Sequence, residues 1–163
     1  MYYGRIRKVD IANGPCVRVS LFVSGCRNHC KGCFQPETWD FHYGQPYDRF
    51  TANEIIKALS PEHISGLTIL GGDPMEPENI TEVTTLCYLV KKLYPDKTIW
   101  LYTGYHWENL KDLEIMKYID VMVDGPFIEN LKDISLAYRG SSNQRVLDIQ
   151  LSKKLNYPVE VEL

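Results

Sequence analysis

Three cysteines lie within eight residues, at Cys26, Cys30 and Cys33. Three thiolates on one short loop are enough to ligate three irons of a four-iron cluster and to leave the fourth iron without a protein ligand. A structural four-iron cluster takes four cysteines, and a structural zinc ion takes four ligands. A loop that stops at three cysteines therefore predicts a [4Fe–4S] cluster whose open iron binds a small molecule.

A zinc site is the alternative for this loop, with His29 or His42 as the fourth ligand. The spacing favours iron, because zinc knuckles usually pair two close ligand couples. The C-x3-C-x2-C spacing resembles that of the radical S-adenosylmethionine (SAM) enzymes. Gly25 and Gly32 would let the loop backbone adopt positive φ angles as it curls around a cluster.

A Gly71-Gly72-Asp73-Pro74 segment follows a predicted strand. Such a segment can be an ordinary turn, or its glycines can let a ligand approach the main chain closely. Beside a SAM-binding cluster, the second interpretation would let the turn contact the amino group of the methionine moiety. The Asp73 carboxylate would contact the same ammonium group.

Two further sets of polar residues have open interpretations. Arg18 is either a partner for the SAM carboxylate or a charge on a sheet face. The segment from Arg139 to Arg145 is either a solvated loop or a contact for substrate or partner, since long loops in compact domains are often functional.

Alternating strands and helices must position these residues. We predict strands over 17–23, 67–70, 98–102 and 119–123, with shorter ones at 146–149 and 159–161. A capping box that starts at Thr51 predicts one helix, apolar spacing predicts a second over about 78–94, and Leu110, Leu113 and Met116 mark a third. This pattern predicts parallel strands whose C-terminal ends form the active edge. The chain is too short for eight βα units, so we expect an α/β fold that forms a partial, open barrel.

Composition narrows the function classes. The 163 residues carry a net charge of −3, which does not favour a nucleic-acid or membrane surface, and we expect neither partner. No signal peptide or membrane span is predicted. Five cysteines, three of them crowded on one loop, argue against a disulfide framework and favour the cytoplasm. We expect a single domain over residues 1–163.

Taken together, the motifs resemble the activating proteins of anaerobic (class III) ribonucleoside-triphosphate reductases. Cys16 stands where that family usually has glycine. The resemblance covers nearly the whole chain and rests on Asn13-Gly14-Pro15, Phe22-Val23-Ser24-Gly25-Cys26, Cys30-Lys31-Gly32-Cys33, Thr38-Trp39, Gly71-Gly72-Asp73-Pro74, the segment 99–105, Val123-Asp124-Gly125 and the segment 139–144.

The resemblance implies a shortened, open (β/α) barrel of the radical SAM type. It implies that a [4Fe–4S] cluster on Cys26, Cys30 and Cys33 cleaves SAM reductively, and that the resulting 5′-deoxyadenosyl radical takes a hydrogen atom from a glycine of the large reductase subunit. An electron donor such as flavodoxin would reduce the cluster. The rivals are another small radical SAM enzyme, either a pyruvate formate-lyase-type activase or a small-molecule enzyme, and a zinc-binding adaptor. The residues expected to contact SAM are Gly71, Gly72, Asp73, Pro74, Thr103, Asp124 and Phe34.

Overall fold

The fold is described from a computed structural model that covers residues 1–163. One seven-stranded sheet runs through it in the order β3-β1-β2-β4-β5-β6-β7. Its strands are β1 (Tyr2–Asp10), β2 (Arg18–Val23), β3 (Gln45–Pro46), β4 (Gly66–Gly71), β5 (Thr98–Tyr102), β6 (Val121–Asp124) and β7 (Arg145–Asp148).

The four central strands, β2, β4, β5 and β6, are parallel, as the alternating pattern predicts. The outer strands are antiparallel to their neighbours, so the prediction of parallel strands does not hold at the edges of the sheet. Strand β1 was not predicted, because its Arg and Lys residues interrupt the apolar run that marks a buried strand. The sheet does not close on itself, and the α/β class and the open architecture are confirmed.

The helices cover one face of this sheet. They are α1 (Arg49–Leu59), α2 (Ile80–Leu93), α3 (Trp107–Leu110) and α4 (Ile149–Leu155), with short 3-10 helices at Pro36–Trp39, Glu114–Lys117 and Glu129–Leu131. Each α-helix buries apolar side chains in the main core, against alternate strand residues such as Val19, Leu21 and Val23. The intervening residues Ser20 and Phe22 therefore face the other side of the sheet, which no α-helix covers.

Two helix predictions and one strand prediction need correction. Helix α1 begins after Asp48, whose carboxylate accepts hydrogen bonds from the Phe50 and Thr51 amides, so Asp48 and not Thr51 is the cap. The helix expected around residues 110–116 is two short pieces, α3 and the 3-10 helix at Glu114–Lys117. Residues 159–161 bond to the backbone of β7 at Val146 and Asp148 but form only an isolated bridge. No helix combines the length and apolar character needed to cross a membrane.

The C-terminal ends of the parallel strands meet at one edge of the sheet. The cysteine loop follows β2, the Gly-Gly turn begins at the end of β4, and Thr103 and Gly125 follow β5 and β6. These four segments come from distant parts of the sequence, and the parallel register brings them together.

Candidate functional site

The cysteine loop is fixed to the sheet edge by its own backbone. The amide of Gly25 donates to the Thr38 carbonyl at 2.8 Å, and the amide of Cys26 donates to the Trp39 carbonyl at 3.3 Å. Gly25 and Gly32 have φ angles of +97° and +73°, which confirms the expectation that the loop uses left-handed glycines to curl. All three cysteine side chains remain partly exposed.

A cavity of about 660 Å³ opens beside this loop, a volume typical of small-molecule sites. It extends from the cysteines across the uncovered face of the sheet. The predicted site residues that line it are Cys26, Cys30, Cys33, Phe34, Gly71, Gly72, Asp73, Thr103 and Arg139.

Three predicted site residues, Pro74, Asp124 and Arg145, do not line this cavity. Asp124 is fully buried and accepts from the Trp107 amide at 2.8 Å and from the Arg145 guanidinium. Arg145 also forms a bidentate pair with Glu108. Asp124 and Arg145 thus tie α3 to the β6–β7 pair.

Asp73 joins the loops of three strands. Its carboxylate accepts from the Met75 amide at 3.0 Å, the Thr103 hydroxyl at 2.8 Å, the Gly104 amide at 2.9 Å and the Asn28 side chain at 3.2 Å. Burial raises the pKa of Asp73 to about 6, although the hydrogen bonds favour its charged form. Four donors from this chain already occupy the carboxylate, so its contact with the cysteine loop is structural.

The glycines of the Gly-Gly turn are required by the chain's own packing. A Cβ on Gly72 would lie 2.6 Å from the Gly25 carbonyl oxygen and 2.9 Å from that of Thr38. A Cβ on Gly71, where φ is +112°, would lie 2.6 Å from the Val23 oxygen. These contacts press the turn against the base of the cysteine loop, so a side chain here would displace the loop.

The sulfur atoms of the three cysteines do not form a compact set in the structure. Two thiolates on the same zinc ion lie at most about 4.6 Å apart. Only His106, Glu108 and Asp124 bring three potential ligand atoms within 4.8 Å of one another, and the three cysteines do not. A cubane takes one thiolate at each of three corners, so it does not need the three sulfur atoms to be this close together.

Burial and backbone hydrogen bonds act in opposite directions on the thiols of the loop. Burial raises the pKa of Cys26 and Cys30, while hydrogen bonds from the Asn28 and His29 backbone to Cys26 act in the opposite direction. Coordination by iron removes the proton, and such backbone donors tune the potential of a cluster.

Comparison with known proteins assigns the family. A family model described as a 4Fe-4S single cluster domain matches residues 12–147. Proteins named anaerobic ribonucleoside-triphosphate reductase-activating protein are 46% identical over 146 residues in Enterobacteria phage T4 (90% of this chain, 93% of that protein), 41% over 150 residues in Escherichia coli K12 (90% and 97%), and 44% over 148 residues in Vibrio cholerae serotype O1 (88% and 96%). This chain belongs to that family. The resemblance drawn from the motifs is thereby confirmed.

Two buried residues that fix the cysteine loop in place were not predicted from the sequence. The carboxylate of Glu76 is fully buried and accepts from the Arg27 amide at 2.7 Å and from the Arg27 guanidinium. The side chain of Asn79 donates to the carbonyls of Ser24 and Asp73, each at 2.9 Å. Both residues follow the Gly-Gly turn in a polar stretch whose burial no sequence pattern signals.

The structure bears on both interpretations that the sequence left open, that of Arg18 and that of the segment 139–145. Arg18 lies at the opposite end of β2 from the cysteines, where its buried guanidinium donates to Thr68, Thr98 and the Leu67 carbonyl. It does not line the cysteine cavity, so it is a buried sheet-face charge. Arg139 donates to the Gln144 carbonyl at 2.9 Å and lies 3.6 Å from Glu160, so internal contacts occupy much of its guanidinium.

Proposed function

We propose that this protein is a radical SAM activase that generates a glycyl radical on the large subunit of an anaerobic ribonucleoside-triphosphate reductase. The main supporting observation is that the three thiols of one short loop line the same cavity as the turns at the ends of strands β4 and β5. The names of its relatives favour activation of this reductase over the activities of other radical SAM enzymes.

In this proposal Cys26, Cys30 and Cys33 hold a [4Fe–4S] cluster. When bound, the cluster supplies one low-potential electron, and SAM supplies the carbon radical that removes a hydrogen atom from the reductase glycine. The main-chain groups of Gly71 and Gly72 and the side chains of Thr103 and Phe34 contact SAM. Asp73 holds together the turns that follow β2, β4 and β5. It has no free carboxylate oxygen for a direct bond to SAM.

The uncovered sheet face supplies the remaining environment. Apolar and aromatic residues line the cavity beyond the cysteines and would exclude water from a reactive radical. Those side chains are Phe22, Leu70, Tyr102, Phe127 and Tyr138.

The proposed fold type, domain organisation, electron donor and compartment follow from the same assignment. The open sheet, with helices on one face only, supports a shortened barrel of the radical SAM type that forms a single domain over residues 1–163. The cluster needs a reductant such as flavodoxin, and the cytoplasm is the compartment in which such chemistry and free thiols persist.

Product analysis tests the proposal. The cluster-loaded protein, reduced anaerobically, should form methionine and 5′-deoxyadenosine slowly by itself and faster when the large reductase subunit is present, because efficient abstraction requires a hydrogen held in near-attack geometry. Absence of 5′-deoxyadenosine in both mixtures, with an intact reduced cluster, would exclude SAM cleavage.

A further inference from the structure

Strand β1 presents two arginines to the uncovered face of the sheet. Arg5 and Arg7 pair in register with Phe22 and Ser20 of β2, whose side chains face away from the helices. The intervening Ile6 packs against the main core, and Lys8 forms an ion pair with Glu54 of α1 at 2.8 Å. Charge on this strand is thus paired on the helix side and concentrated on the cavity side.

Neither arginine on this face forms an ion pair, although the buried Asp10 carboxylate on the same strand acts on Arg7 at longer range. The two guanidinium groups lie over the Phe22 ring, 5.5 and 5.4 Å from its centroid, and no carboxylate oxygen lies within 4.0 Å of either. Arg7 and Phe22 line the same cavity as the cysteines. Since the ring orients both cations before any ligand arrives, they form a preorganised anion-binding pair.

The backbone beside these arginines is also unpartnered on one side. Strand β3 pairs with β1 only at Tyr2 and Tyr3. From Arg5 to Asp10, β2 is the sole neighbouring strand, so the outer edge offers free amide and carbonyl groups. An extended peptide binds such an edge by adding a strand, whereas a small molecule makes little use of it.

We propose that the outer edge of residues 5–10, with Arg5, Arg7 and Phe22, is a docking strip for an extended, carboxylate-bearing segment of the reductase. This inference rests on the proposed function. The edge provides main-chain hydrogen bonds and the arginines select acidic side chains on the cavity side. A segment held along the strip leads from solvent to the cavity that the cysteines border.

The test compares a double variant, R5Q/R7Q, with K8Q on the same strand. Sedimentation of each cluster-loaded protein with the large reductase subunit gives the affinity without any radical chemistry. The double variant should bind the reductase about tenfold more weakly, and raising the salt concentration should weaken its binding less than that of the wild type. K8Q removes the same type of charge from the opposite face and should bind within twofold of the wild type.

The contradicting results are distinct. A weakening of about threefold by K8Q, which is the share of one charge in a tenfold loss over two charges, would mean that total charge and not the docking strip sets the affinity. A loss of SAM affinity in R5Q/R7Q with unchanged reductase binding would make the arginines part of the small-molecule site. Dithionite as reductant in a parallel activation assay removes any donor protein, so an activation defect that disappears with dithionite would assign the strip to the electron donor. If the wild type binds the reductase but forms no glycyl radical, the proposed function fails while the docking strip stands.

Discussion

At the scale of single residues, the site separates into groups that face the cavity and groups that hold those in place. The thiols of Cys26, Cys30 and Cys33 are free of disulfides and partly exposed, whereas Cys87 lies in the main core, where burial raises the pKa of its thiol. Asp73, Glu76 and Asn79 are almost fully buried, and each bonds to the cysteine loop or its base. The reactive groups are therefore exposed, and a buried polar layer positions them.

Replacement of each cysteine by alanine separates ligands from structural thiols. Variants at Cys26, Cys30 and Cys33 should lose the cluster, because a cubane with one open iron needs all three thiolates. Variants at Cys16 and Cys87 should keep the wild-type iron and sulfide content, with C87A less stable by about 1 kcal/mol from the lost core contact. Anaerobic iron and sulfide analysis checks this, and loss of the cluster in C87A but not in C30A would contradict the ligand assignment.

Asp73→Asn tests the buried layer. An amide has one acceptor oxygen and places its NH2 group against the Gly104 amide and the Asn28 side chain, so some donors lose their partner. We expect the free energy of unfolding to fall by about 2–3 kcal/mol. Anaerobic urea unfolding measures this loss, and Asp112→Asn at an exposed position is the control, with a change below about 0.5 kcal/mol. A D73N protein as stable as the control would show that the four hydrogen bonds contribute little.

At the scale of elements, the four central strands and helix α2 could be predicted because each is an apolar run with a clear period and a glycine or proline nearby. Strand β1 could not, since an edge strand with Arg5, Arg7 and Lys8 lacks the apolar pattern. The cap at Asp48 was missed because Thr51 and Glu54 also match a capping box. Short pieces such as α3 depend on tertiary contacts, here the hydrogen bond from the Trp107 amide to Asp124.

The Gly-Gly turn gives a prediction in which structure changes the expected result. If the two glycines served only the close approach of a ligand, a side chain at Gly72 would weaken SAM binding and spare the cluster. Because a Cβ there would meet the carbonyl oxygens of Gly25 and Thr38, we expect Gly72→Ala to displace the cysteine loop and to lower cluster retention as well. Iron content after anaerobic gel filtration measures retention.

The control for this variant is Gly4→Ala. Its Cβ meets the side chain of Tyr43, which is partly exposed and can rotate away, so cluster content should stay at the wild-type level. A G72A protein with a full cluster and weaker SAM binding would instead support the earlier interpretation, in which the glycine serves the approach of the ligand.

At the scale of the whole molecule, the open sheet accounts for the position of the site and, in the proposed function, for the role of a partner. Helices seal one face, while the other face is left to a cavity bordered by the cysteine loop, the strand-end turns and β1. In the proposed function, the reductase would complete the enclosure of the radical on that side. The sequence predicted the cysteine edge of this cavity from local motifs, but Arg5 and Arg7 emerged only once β1 was placed beside β2.

The most direct test is anaerobic electron paramagnetic resonance of a mixture of the cluster-loaded protein, SAM, dithionite and the large reductase subunit. We predict an organic radical doublet on the reductase whose hyperfine splitting changes when the reductase carries glycine labelled with 13C at the α-carbon. The same mixture with the C30A variant should give no such signal. If the wild-type protein cleaves SAM while the reductase stays free of radical and a small molecule is consumed in proportion, the activase account is contradicted.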